Sequence, residues 1–185
     1  MFRILGRLLW LLSFTAAFTP DSLADTQTQP NQEFLVKAAF MYNFAKFVTW
    51  PEETFVSPDQ AINLCVIGEN PFANTLDSLS GKTVHGRPLT TTHIDNPKDI
   101  EGCHILFISR SEASHLDTIF SYSRYKHVLT IGDIDEFIEV GGMIGFITVN
   151  DKIRFRINYA AAREAELEIS SRLLNLAVQV DRGTQ

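Results

Sequence analysis

Hydrophobic and polar positions alternate along this chain in three distinguishable ways. The first is a continuous apolar stretch over residues 8–18, preceded by Arg3 and Arg7 and followed by Ser22-Leu23-Ala24. It is shorter than the roughly 20 residues a bilayer span needs, so residues 1–24 read as a secretory signal cleaved after Ala24. Residues 25–32 are polar, contain Pro30, and predict a flexible lead-in.

The second kind is helical. Residues 33–49 form a helix stopped by Trp50-Pro51. Phe34, Leu35, Ala38, Met41, Tyr42, Phe44, Phe47 and Val48 cannot share one side at 3.6 residues per turn. Such a helix is either wholly buried or meets another chain with half of its surface, with Phe40, Phe44 and Phe47 as the candidate partner or dimer contacts.

The third kind is short and β-rich. Residues 62–67 predict a strand ending at Gly68, and Asn70-Pro71 open a helix through residue 79. The unit repeats: a buried strand at 105–108, capping chemistry at 109–112, and a helix through about residue 124. Another strand spans 128–131, with a short helix at 135–140. Residues 82–94 are extended and broken at Gly86 and Pro88. Residues 143–149 and 152–158 form a hairpin about Asn150-Asp151. A long terminal helix is expected over 159–180, with Leu167, Leu174 and Val178 on its apolar stripe beside Leu173 and Ala177. The sum is a single α/β domain over 33–181: a mixed β-sheet flanked by helices, ending in a β-hairpin and a long C-terminal helix. About 160 residues after cleavage suit one core.

Charge narrows the function. The chain has 16 Lys and Arg against 22 Asp and Glu, a net charge of −6, and no basic run, which argues against nucleic acid as a partner. Both cysteines, Cys65 and Cys103, lie at predicted strands. An even count in an exported protein favours a disulfide, the alternative being two buried free thiols.

Catalytic chemistry is hard to assemble from these residues. Gly141-Gly142-Met143-Ile144-Gly145 precedes a strand, whereas a phosphate loop opens a helix, so it reads as a close backbone approach. The histidines, His85, His93, His104, His115 and His127, lack metal-ligand spacing and read as surface or sheet-edge residues. Ser109 and Ser111 lack the frame of a nucleophile elbow and read as helix caps. Asp133 and Asp135 read as ordinary strand-end acids. The remaining cluster is Arg154 and Arg156 on a strand with Arg163, Glu164 and Arg172 beyond it: a candidate dock for a small anion or acidic partner, or else a solvated charged face. No catalytic residue, metal site or cofactor is expected.

Several blocks then occur in order: Lys37-Ala38-Ala39-Phe40-Met41-Tyr42-Asn43-Phe44-Ala45-Lys46-Phe47 before Trp50-Pro51, Cys65-Val66-Ile67-Gly68, Gly86-Arg87-Pro88-Leu89, Cys103-His104-Ile105-Leu106-Phe107-Ile108-Ser109, the Gly141 segment, and Arg154-Phe155-Arg156-Ile157-Asn158. Together they resemble the YfiR-like family. The resemblance implies a periplasmic, non-enzymatic, homodimeric repressor that binds the periplasmic sensor domain of an inner-membrane diguanylate cyclase, restraining cyclic di-GMP synthesis and biofilm formation. It also matches Cys65 and Cys103 to a family cysteine pair, while this chain lacks a second pair near its C-terminal hairpin. Other members imply an alternative: a small-molecule-binding sensor acting with a sensor kinase or an outer-membrane system.

Overall fold

The apolar runs at 62–67 and 105–108 become neighbouring parallel strands at the centre of one sheet, and the chain is organised around them. The computed structural model describes residues 32–124 and 126–183, so the expected signal and residues 25–31 lie outside the described residues. In chain order the elements are α1 (Gln32–Phe47), β1 (Val48–Thr49), β2 (Ile62–Ile67), β3 (Thr83–Val84), β4 (Arg87–Ile94) and β5 (Ile105–Ile108). They continue with α2 (Leu116–Ser123), β6 (Leu129–Gly132), β7 (Ile144–Val149) and β8 (Lys152–Asn158). The chain closes with α3 (Tyr159–Glu164), β9 (Glu168–Ile169), α4 (Ser171–Leu176) and β10 (Gln179–Asp181).

Eight strands form a mixed sheet in the order β10-β8-β7-β6-β5-β2-β4-β3, and β1 pairs with β9 in a separate two-stranded ladder. The strands β4, β2, β5, β6 and β7 run parallel, with β2 between β4 and β5; β3 runs antiparallel to β4 and β8 antiparallel to β7, while β10 runs parallel to β8. Helices and turns cover both faces, which is why β5 and β6 are apolar or small at every position and buried at all of them. Alternate residues feed two cores: Leu64, Val66, Ile105 and Phe107 face α1, while Cys65, Ile67, Leu106 and Ile108 face α2. The expected α/β domain of mixed sheet and flanking helices is the observed architecture.

Details differ where local chemistry overrules periodicity. The long C-terminal helix is absent, and α3, β9, α4 and β10 replace it. Ala165, Leu167 and Ile169 are all buried, an alternation of two that an extended segment satisfies and a helix does not. Glu166 turns the chain at φ 58°, and the Ser170 side chain accepts from Leu173 N–H to start α4 anew. Val178, expected on the buried stripe, is 55% exposed. The segment after Pro71 is a 3₁₀ helix (Ala73–Leu79), and another (Arg110–His115) precedes α2. Ser109 makes no side-chain cap there, and Ser111 accepts instead from Glu69 N–H at 3.0 Å. Residues 135–140 form turns around Phe137 rather than a helix. The Gly141 segment is the close approach expected of it, since a Cβ on Gly142 would overlap the Phe137 ring.

Cys65 and Cys103 form a disulfide with Cα atoms 5.8 Å apart, tying the middle of β2 to the residues entering β5. The bridge spans a sequence separation of 38, and by chain entropy its removal as Cys65→Ala/Cys103→Ala costs about 4 kcal/mol. Urea unfolding of the double variant is expected to show that loss with an intact native circular dichroism spectrum. An unchanged midpoint would mean that the bridge contributes nothing.

Candidate functional site

The three phenylalanines expected to meet a partner are placed differently by α1. Phe44 is fully buried, its ring 4.8 Å from Phe155 and 5.7 Å from Phe146 across the β7–β8 hairpin. Phe40 is half-buried and stacks on Phe44 at 5.8 Å, and Phe47 is half-buried against the same core. The apolar surface left to solvent lies nearer the start of the helix, at Leu35 (44% exposed) and Val36 (38%). Val36 and Phe40 form one wall of an open cleft of about 640 Å³ whose other wall is the β7–β8 hairpin with Lys152, Ile153 and Arg154.

The four arginines line separate places. Arg154 borders that cleft. Arg156 is held in a fork by Glu139, at 2.6 and 3.5 Å. Arg163 borders another cleft of about 570 Å³, with Trp50, Tyr159, Glu166 and Glu168. Arg172 is exposed on α4.

A charged group not singled out from the sequence lies deeper. Lys37 is 2% exposed, and its Nζ donates to Asp133 Oδ2 at 2.7 Å and to Glu33 Oε1 at 2.5 Å, lying 4.7 Å above the Phe34 ring. Asp133 directly follows β6, so the pair joins α1 to the carboxyl end of the parallel sheet. Arg110, largely exposed, donates to the Asp133 backbone carbonyl at 2.8 Å and approaches its carboxylate at 3.7 Å. The signal was available: Lys37 precedes Met41, Phe44 and Val48 at intervals of four, three and four residues, a lysine on the buried stripe. Beside this cluster, a cleft of about 330 Å³ opens between Arg110, Asp135 and Arg156.

In open parallel sheets with this strand order, ligands enter the crevice where the order reverses, here between the ends of β2 and β5. That crevice is filled: a Cβ on Gly68 would collide with the side chains of Ser111 and Glu112. The Lys37–Asp133 pair, at 2.7 Å, clamps α1 to the sheet.

At the opposite end of β2, His104 is buried at 4% exposure, not at the surface as expected. Its Nδ1 accepts from Asn63 N–H at 3.1 Å, and Phe55 stacks on the ring at 4.9 Å. The Arg87 guanidinium lies 3.7 Å from the Phe55 centroid and donates to the carbonyls of Ser57 and Gln60. Burial, and then the positive charge of Arg87, lower the His104 pKa to about 4. The stack holds the loop between β1 and β2 against the sheet. Among the described residues no group of three or more His, Cys, Asp or Glu could hold a metal ion, and no helix is long and apolar enough to cross a membrane.

A family model described as YfiR/HmsC-like matches residues 34–178. No curated protein matches the chain. Among solved structures, the chain is similar to the ABC domain in complex with L-Trp from Streptococcus pneumonia, at 12% identity and a TM-score of 0.47. The match covers 75% of this chain and 61% of that one, so this chain spans about three fifths of its length.

Two outcomes follow from the buried charges. Lys37→Met leaves Asp133 buried without its cation and is expected to lower the unfolding free energy by about 3 kcal/mol or more. Adding Asp133→Asn recovers part of the loss, so a urea double-mutant cycle should give a non-additive pair. For His104, the folded state resists a proton that the unfolded state accepts. Its contribution is therefore fully present above pH 6.5 and is lost as pH falls from 6.5 through about 4. His104→Asn, which keeps an acceptor for Asn63 N–H, should flatten the melting-temperature profile in that window. An identical slope would remove His104 from the account.

Proposed function

We propose, for a chain that belongs to the YfiR/HmsC-like family, that it is a periplasmic regulator that binds and restrains the sensor domain of an inner-membrane signalling protein, a diguanylate cyclase, and so limits cyclic di-GMP synthesis and biofilm formation. The family match over nearly the whole described domain carries this reading. In it, residues 1–24 direct export and are removed after Ala24, and residues 33–181 act as one domain without catalytic chemistry.

The geometry supports a particular docking face. Phe44 is committed to the core, so the partner is met by Leu35, Val36 and the half-buried Phe40, with Arg154 and Lys152 beside them for acidic groups on the sensor. Binding there restrains the cyclase by favouring its inactive state, and any signal that weakens the contact releases it. A second reading is supported by the cleft that places Arg163 with Trp50 and Tyr159: a small anionic effector bound there would modulate the regulator, acting through a cyclase, a sensor kinase or an outer-membrane system.

Capture from detergent-solubilised membranes tests the first reading. The mature protein is expected to retain a diguanylate cyclase, identified by mass, and Val36→Glu is expected to reduce that recovery by about tenfold or more while leaving the fold intact. Recovery of no inner-membrane signalling protein by the wild type would contradict the repressor reading.

A further inference from the structure

The eight-residue strand β4 is open along half of one edge. Hydrogen bonds show which way its backbone faces. Leu89 donates to Lys82 and accepts from Gly81, so its N–H and C=O point away from β2. Residues two and four positions on point the same way, so the amides and carbonyls of Thr91 and His93 face outward too. Among the described residues no backbone or side-chain partner reaches these groups. The opposite edge of the sheet is the three-residue β10, followed by Arg182 and Gly183. Long edges are normally blunted by lysine, proline, bulges or a covering element. The window over residues 90–94 holds Thr90, Thr91, Thr92, His93 and Ile94, with neither lysine nor proline, and the Ser80 hydroxyl lies 3.3 Å from that of Thr91.

We propose that this edge is the contact between two copies of the chain, paired antiparallel about a two-fold axis at Thr92 to extend the sheet from one protomer into the next. Three features favour a second copy over a foreign strand. The window closes on itself in length: Gly81 and Lys82, which lead into β3, occupy the edge at Leu89, and the chain leaves the strand at Asp95-Asn96. A strand no longer than residues 90–94 fits, and that is the strand each copy offers. Pairing about Thr92 sets Thr91 opposite the partner's His93 and both outward pairs of groups are then satisfied reciprocally, with Thr92 facing the partner's Thr92 and no like charges opposed. At each end of the window, the exposed Asp95 of one copy arrives where the other carries Lys82, and the charges are complementary. Val36 lies on α1, outside this edge, so the two surfaces can be tested separately.

Sedimentation of the mature protein is expected to show a concentration-dependent dimer. Thr91→Pro removes an outward N–H that the monomer does not use, which edge strands tolerate. It is expected to weaken self-association by about tenfold or more without lowering the melting temperature. Thr92→Lys and Thr92→Glu each place like charges across the axis and should be monomeric alone, and mixing them should restore a dimer. Dimers that survive both Thr91→Pro and Thr92→Lys would overturn the proposal. So would a wild-type monomer whose edge becomes protected from hydrogen exchange only in membrane extract, which would identify the occupant as a foreign strand.

Discussion

The pairing of Lys37 with Asp133 is the constraint on which the arrangement of this domain turns. A lysine on the buried stripe of a helix is tolerated only where a carboxylate meets it, and Asp133 supplies one from the carboxyl end of β6. That single contact sets the rotation and axial position of α1 on the sheet. Given that setting, Met41, Phe44 and Val48 must enter the core, and Phe44 must meet Phe146 and Phe155 on the hairpin. Leu35 and Val36 are left outside for the same reason.

Function follows from what the clamp leaves free. The sheet has the strand order of ligand-binding parallel folds, yet Ser111 and Glu112 fill the crevice where a ligand would enter. Among the open surfaces of the described residues are the start of α1 with the adjoining hairpin, the Arg163 cleft, the cleft between Arg110, Asp135 and Arg156, and the edge of β4. A disulfide between β2 and the entry to β5, and the Phe55 stack on His104, keep the opposite end of the sheet rigid. A domain of this construction is suited to present fixed surfaces to other proteins, consistent with membership of the YfiR/HmsC-like family.

Much of the fold was legible because its signals are local. The runs that became β2, β5, β7 and β8 are apolar for a strand's length and end in turn residues, and Trp50-Pro51 ends the first helix close to where it stops. The C-terminal region was misread because Leu167, Leu174 and Val178 can be drawn on a helical stripe, while the alternation of Ala165, Leu167 and Ile169 needs β1 as a partner to become visible. His104 was read as a surface or sheet-edge residue and Asp133 as an ordinary strand-end acid because burial of a polar group depends on partners distant in sequence. Asn63 and Lys37 are 41 and 96 residues away from them. The arginines alternate as expected along β8, but the places they line are decided by Glu139 and by the turn at Glu166.

Native-state hydrogen exchange along α1, followed at increasing urea, tests the central claim most directly. If the helix is clamped into the core, the amides of Met41, Phe44 and Ala45 exchange only through global unfolding, with the full unfolding free energy and the full denaturant dependence. Exchange of those amides through a cheap local opening, with little dependence on urea, would show that α1 detaches from the sheet and would contradict the account.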